Sequence, residues 1–152
     1  MERNTLLIID GSETSKLKER LEKRSEINLV GSTNNVDLGF TMAERHQPAI
    51  ILLNVDMPGE KGFNAAEVFA LEFPTSSLIL VTEWDNQRIL RHALQVGAKE
   101  VITLPVSEDQ LWTVVQRVLA QQKKRREVFS LEKNAQPQFK TITVFSTKGG
   151  GG

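Results

Sequence analysis

Cysteine is absent from the 152 residues, which excludes a disulfide scaffold, a thiolate nucleophile and any thiolate metal site. Histidine is scarce: only His46 and His92 occur, which argues against a histidine-rich metal centre. No apolar run approaches the roughly 18 residues that a membrane span needs, and Met1-Glu2-Arg3-Asn4 leads directly into a short apolar run. A surplus of one charge is also missing, since 19 Lys and Arg balance 19 Asp and Glu. Global neutrality argues against a dedicated nucleic-acid binder. What remains is an ordinary globular composition, 39% apolar and 25% charged, which excludes collagenous, low-complexity and wholly disordered classes. These features predict a soluble cytoplasmic chain with one main domain and no transmembrane segment.

Two kinds of segment alternate. Short apolar, β-branched runs at 5–9, 27–30, 49–53, 77–82 and 100–104 are apolar on both faces, as in strands buried within a parallel sheet. Between them lie stretches of helical spacing. Residues 15–25 carry Leu17 and Leu21, residues 36–46 carry Val36, Phe40 and Ala43, and residues 63–73 carry Ala66, Phe69 and Ala70 before Pro74. Residues 86–96 end at Gly97, and a fifth helix begins at a Ser107 N-cap with Glu108 and Asp109 in its first turn. The alternation predicts an α/β fold, a doubly wound parallel sheet of (βα)5 type with helices on both faces. Sites in such folds lie at the carboxyl ends of the strands, which directs attention to Asp10-Gly11-Ser12, Asn54-Val55-Asp56, Thr82-Glu83-Trp84 and Leu104-Pro105.

After Ala120 the pattern changes. Lys123-Lys124-Arg125-Arg126 reads as a solvated helix end, ahead of a lipid or nucleic-acid contact. Residues 128–139, with Asn134-Ala135-Gln136-Pro137-Gln138, have linker composition, and 140–146 reads as a fresh strand. The expected organisation is a domain over 1–127, a linker over 128–139 and the truncated start of a second domain over 140–152.

Leu6-Leu7-Ile8-Ile9-Asp10, the run Ala49 to Gly62 with Asn54-Val55-Asp56-Met57-Pro58-Gly59, Leu78-Ile79-Leu80-Val81-Thr82 and Gly97-Ala98 followed by Pro105 resemble a response-regulator receiver domain. The resemblance implies a flavodoxin- or CheY-like fold. A phosphorylatable receiver needs an aspartate nucleophile ending the third strand, two acids after the first strand for Mg²⁺, a Thr or Ser ending the fourth strand and a lysine before the proline after the fifth. Transfer to a carboxylate needs that carboxylate, a hard cation held by oxygens and positive charge on the moving oxygens. Here Asn54 occupies the nucleophile position, Gly11 the second acid and Leu104 the lysine, while Asp10 and Thr82 match. The aromatic switch position falls on Val101. An amide offers no anionic oxygen for an aspartyl-phosphate. These departures predict a pseudo-receiver with no catalytic residue, no metal and a remnant pocket of Asp10, Asp56 and Thr82. Asp10 reads as a cap of its own loop and Thr82 as a hydrogen-bonded turn residue. His46 reads as a helix-end residue and His92 as a surface residue.

The tail Lys148-Gly149-Gly150-Gly151-Gly152, preceded by an apolar strand, resembles the start of a deviant Walker A loop, whose glycines turn backbone N–H groups towards phosphates. A pseudo-receiver ahead of such an ATPase is similar to the pilus-assembly localisation proteins of the tight-adherence system, the TadZ and CpaE type of the MinD/ParA superfamily. That resemblance implies an ATP- and Mg²⁺-dependent parent, no cofactor and no enzyme activity in these 152 residues, pilus or secretion proteins as partners, and recruitment to the cell pole or an inner-membrane complex. The alternative is the receiver of a two-component phosphorelay regulator with a different output domain. Trp84, Leu90 and Trp112 are large apolar side chains that the core stripes do not account for, and tryptophan is enriched at interface centres. They predict a homodimer or partner contact through the face made by the fourth helix, fifth strand and fifth helix.

Overall fold

The computed structural model describes residues 4–11, 16–56 and 61–139. Five strands, β1 (Thr5–Ile9), β2 (Asn28–Thr33), β3 (Ile50–Asn54), β4 (Ser77–Thr82) and β5 (Glu100–Thr103), alternate with α1 (Leu17–Leu21), α2 (Val36–His46), α3 (Lys61–Glu72), α4 (Gln87–Gln95) and α5 (Glu108–Phe139). All strand pairs are parallel, in the order β2-β1-β3-β4-β5. The chain therefore winds outward in both directions from the β1–β3 neighbours. A crevice is expected at the carboxyl ends of these two strands, because the helices that follow them, α1 and α3, pack on opposite faces of the sheet.

Strand alternation divides the core. Leu7, Ile9, Ile51, Leu53, Leu78 and Leu80 pack with Ala43 of α2, Ala66 and Phe69 of α3 and Ala93 of α4. Leu6, Ile8, Ile50, Leu52, Ile79 and Val81 pack on the other face with Leu17 and Leu21 of α1 and Leu111, Val115 and Val118 of α5. The central strands are buried along their whole length, and a fully buried Leu or Ile contributes about 1.5–3 kcal/mol each. Phe40, Phe69 and Phe73 meet at centroid separations of 5.0–5.7 Å and tie α2 to α3.

Helix ends follow the sequence chemistry. Asn35 and Asn86 cap α2 and α4 by accepting from Leu38 N and Ile89 N. Ser107 caps α5 by accepting from Gln110 N at 3.1 Å. Gly97 has φ +105°, which only glycine adopts without strain.

Two expectations need correction, and a third gains detail. β2 is neither as short nor as buried as predicted: it is an edge strand running on through Gly31, Ser32 and Thr33, half-exposed along much of its length. Pairing with β1 overrides the loop-like composition of those residues. The helix expected over 15–25 is α1, five residues long, anchored by the buried Leu17 and Leu21. The linker expected over 128–139 is helical, because α5 continues to Phe139. Glu, Lys, Leu, Ala and Gln dominate that stretch and favour helix, while Pro137 falls at its end, two residues from the last helical position. By compactness the chain forms one unit over Met1–Leu119 and a second over Ala120–Gly152. The Walker-like residues Lys148 to Gly152 lie outside the described residues.

Gly39 of α2 is set against β1: a β-carbon there would lie 2.5 Å from Ile9 Cδ1 and 2.7 Å from its Cγ1. Ile9 is itself wholly buried and has nowhere to yield. Gly39→Ala is thus expected to lose up to about 2 kcal/mol in urea unfolding, because overpacking of about 1–3 kcal/mol opposes the roughly 1 kcal/mol helix-propensity gain. Pairing it with Ile9→Val, which removes Cδ1, is expected to cost less than the sum of the two single changes. A Gly39→Ala protein more stable than the parent by about 1 kcal/mol, the full propensity gain, would refute the close approach.

Candidate functional site

The crevice predicted from the strand pattern contains a continuous polar network. β1 delivers Asp10, β3 delivers Asn54 with Asp56 just beyond it, and β4 delivers Thr82. Backbone bonds hold these strand ends together: Asp10 N donates to Thr33 O at 2.9 Å, Val55 N to Val81 O at 3.0 Å and Leu104 N to Thr82 O at 2.8 Å.

Asn54 is the centre. It is only 4% exposed, so its amide must find partners within the protein. Nδ2 donates to Asp10 Oδ1 at 2.8 Å, and Oδ1 accepts from Asp56 N at 2.7 Å. One neighbour is an acceptor and the other a donor, and this fixes which way the amide faces. An aspartate here would satisfy the Asp56 N–H but would set its other oxygen against the Asp10 carboxylate.

Asp56 turns away from Asn54 towards β4. Thr82 Oγ1 donates to Asp56 Oδ1 at 2.8 Å, and Glu83 N donates to Oδ2 at 2.6 Å. Thr82 is completely buried, and its oxygen also accepts from Trp84 N at 3.1 Å. The expected turn role of Thr82 is thus present, coupled to a carboxylate that sequence reading did not assign to it. Asp10 does not confine itself to its own loop, since it bonds to a residue 44 positions away. The remaining sequence departures are apolar or bare positions. Leu104 packs against the core cluster that includes Val106, Gly11 is exposed, and Val101 packs against the α2–α3–α4 cluster.

The proposed contact residues separate. Trp84 is 61% exposed, directly after the network. Leu90 is half-buried on α4. Trp112 does not belong with them: it packs against the α1–α5 core cluster, and the Arg24 guanidinium lies 4.5 Å from its ring centroid. Arg24 also approaches Glu108 at 4.0 Å, and Arg20 Nη1 donates to Val106 O at 2.5 Å. Trp112 is therefore an anchor for the short α1 region. The signal that could have placed it is its spacing one residue after Leu111, on the edge of the α5 stripe. His46 ends α2 exposed to solvent, and His92 is exposed with its ring 4.5 Å from that of Phe63.

Residues 6–116 match the family model described as the response regulator receiver domain. Among curated proteins, the chain is 32% identical over 119 residues to protein PilH of Pseudomonas aeruginosa, covering 76% of this chain and 97% of PilH. It is 25% identical to the transcriptional regulatory protein MctR of Rhizobium johnstonii, over 76% of this chain but only 51% of that protein. Solved structures agree on the fold. A CheY-like receiver domain from Methanospirillum hungatei aligns with a TM-score of 0.71 at 24% identity, over 80% of this chain and 98% of that one. The receiver domain of a Luxo repressor protein from Vibrio parahaemolyticus aligns with a TM-score of 0.72 at 20% identity, over 84% and 98%.

The two tryptophans give a contrast in stability. Trp112→Ala is expected to lower the unfolding free energy by about 2–4 kcal/mol, since it empties a partly buried aromatic site. Trp84→Ala is expected to stay within about 0.5 kcal/mol of the parent. Denaturant midpoints measure both, and equal effects would contradict the placement of Trp112.

Proposed function

Since the chain belongs to the response regulator receiver family, we propose that it is a receiver that accepts no phosphoryl group and works through protein contacts alone. The observation that carries this reading is Asn54, at the position from which a receiver's aspartate would attack. Its amide lacks an anionic oxygen, and both of its polar atoms are already engaged. Phosphoryl transfer is stabilised almost wholly by charge and positioning, and the positions that would supply these hold Gly11 and Leu104.

Receivers of this family imply Mg²⁺, and the residues present do not fit it. A hard cation needs several oxygens free to converge. Gly11 offers no side chain, one oxygen of Asp10 is taken by the Asn54 amide, and both oxygens of Asp56 are taken by Thr82 and Glu83. Among the described residues no group of three His, Asp or Glu converges to hold a metal.

The same proposal extends to the parent protein. The tail Lys148-Gly149-Gly150-Gly151-Gly152 supports a receiver coupled to a deviant Walker ATPase of the tight-adherence pilus type, and the similarity to PilH is in keeping with a pilus setting. In that role the domain marks an assembly site through its surface. The self-association face we propose is α4–β5–α5, where Leu94 is exposed and Leu90 half-buried. Sedimentation velocity that finds only monomer at high concentration would remove that face from the proposal. Coding sequence beyond Gly152 tests the parent: a second lysine followed by Thr or Ser supports the ATPase, and a helix-turn-helix replaces it with a transcriptional regulator. No helix among the described residues is long and apolar enough to cross a membrane.

Incubation with acetyl phosphate and Mg²⁺ is expected to leave the intact mass unchanged. Asn54→Asp alone is expected to stay unphosphorylated as well, since it restores the nucleophile but neither the second acid nor the lysine. An adduct of about 80 Da on the parent chain, mapped to the crevice, would overturn the reading.

A further inference from the structure

Asp56 follows Asn54 by two residues, yet its carboxylate serves β4 and not the Asp10 side of the crevice. Two donors meet it from consecutive residues, the Thr82 hydroxyl and the Glu83 N–H. From there the path runs on through the start of the next helix. Trp84 N donates to Thr82 Oγ1, and Asn86 caps α4 through Ile89 N at 3.0 Å. Residues 82–84 are thus held by these bonds, with Asp56 as their anionic anchor, and α4 opens two residues further on at its own Asn86 cap. A hydroxyl and an amide N–H aimed at a pair of anionic oxygens is an arrangement able to hold an anion of any source. Here the chain supplies that anion itself.

We propose that Asp56 is a built-in latch: its carboxylate engages Thr82 and Glu83 in place of any external anion and holds the β4–α4 junction in one arrangement. The domain then presents Trp84 and the start of α4 without a covalent signal. The proposal rests on the non-phosphorylatable reading, because a phosphoryl group at position 54 would compete for the same hydroxyl. Its physical basis is unequal burial along the segment. Thr82 is wholly buried, so its hydroxyl cannot turn to water if the carboxylate is lost. Glu83, Trp84, Asp85 and Asn86 are all exposed and can be solvated at once. Loss of the anchor therefore loosens the junction and leaves the sheet in place.

Amide hydrogen exchange on the 152-residue chain, followed by NMR, tests the latch with Asp56→Ala and Thr82→Val. In Asp56→Ala the Glu83 and Trp84 amides are expected to exchange at least about fivefold faster, the effect of losing charge-assisted bonds at a water-facing rim. In Thr82→Val, which keeps the side-chain shape, the Trp84 amide is expected to accelerate likewise. Amides of β1 and β3 should keep the parent's protection in both. Unchanged exchange at Glu83 and Trp84 would overturn the latch. Uniform acceleration through β1 and β3 would overturn it too, by making Asp56 a contributor to overall stability and not a local anchor. A mass shift with acetyl phosphate would strike the non-phosphorylatable reading separately, since the exchange rates are measured without any phosphodonor.

Discussion

The carboxamide of Asn54 joins the two halves of the sheet at their open end. Its nitrogen reaches back to Asp10 on β1, and its oxygen receives the Asp56 N–H that begins the path towards β4. Asn54 is 4% exposed, so neither atom can exchange its partner for water, and the orientation of the amide is dictated by the opposite demands of its neighbours. Everything distinctive about the crevice depends on this group being an amide. A carboxylate in its place would repel Asp10 unless a cation stood between them, and the residues that would hold a cation are missing. Gly11, Asn54 and Leu104 are mutually consistent with the proposed function: an amide is the side chain that satisfies a carboxylate and a backbone N–H together without a cation.

The fold supplies the setting for this network through its winding. Parallel strands bring their carboxyl ends to one side, and the change of direction between β1 and β3 leaves that side open. The core is divided between two helical layers, with apolar side chains throughout β1 residues 6–9 and β3 residues 50–53. Buried polar side chains of the strands lie at their ends: Thr5 and Ser77 where β1 and β4 begin, Asn54 and Thr82 where β3 and β4 finish. The network thus sits on a rigid base, and what it positions is the short path through Glu83, Trp84 and Asn86 into α4. In the function proposed above, what matters is which surface is displayed and how firmly.

Much of this was legible in the residues. β1 and β4 are bounded as their apolar runs predict, and α2 likewise. The cap at Ser107 and the positive φ at Gly97 follow from local chemistry, whereas Asn86, read as the first helical residue, caps α4 from outside it. Asn54, Asp10, Asp56 and Thr82 were placed in one crevice by topology alone. The pairing within it was not legible, because hydrogen bonds between residues 26 or 44 positions apart depend on side-chain directions that no spacing encodes. Polar Gly31-Ser32-Thr33 joined a strand because β1 offered an unpaired edge. Trp112 misled for a related reason: a large aromatic beside a helical stripe reads as surplus until the Arg24 that covers it is seen. The helical state of residues 128–139 was not legible because Asn and Pro weigh against helix there, yet α5 continues through them.

The central claim is that the crevice is a closed hydrogen-bonded network and not a metal-dependent phosphoryl site. Titration of the isotopically labelled chain with MgCl₂, read from the amide resonances of Asp10, Asn54, Val55 and Asp56, addresses it most directly. The account predicts only the small, non-saturating shifts that ionic strength produces, equal in size to those from matched NaCl. Saturable shifts confined to those residues at millimolar Mg²⁺ would contradict it, because they would require the Asn54–Asp10 and Asp56–Thr82 pairings to open and yield their oxygens to a cation.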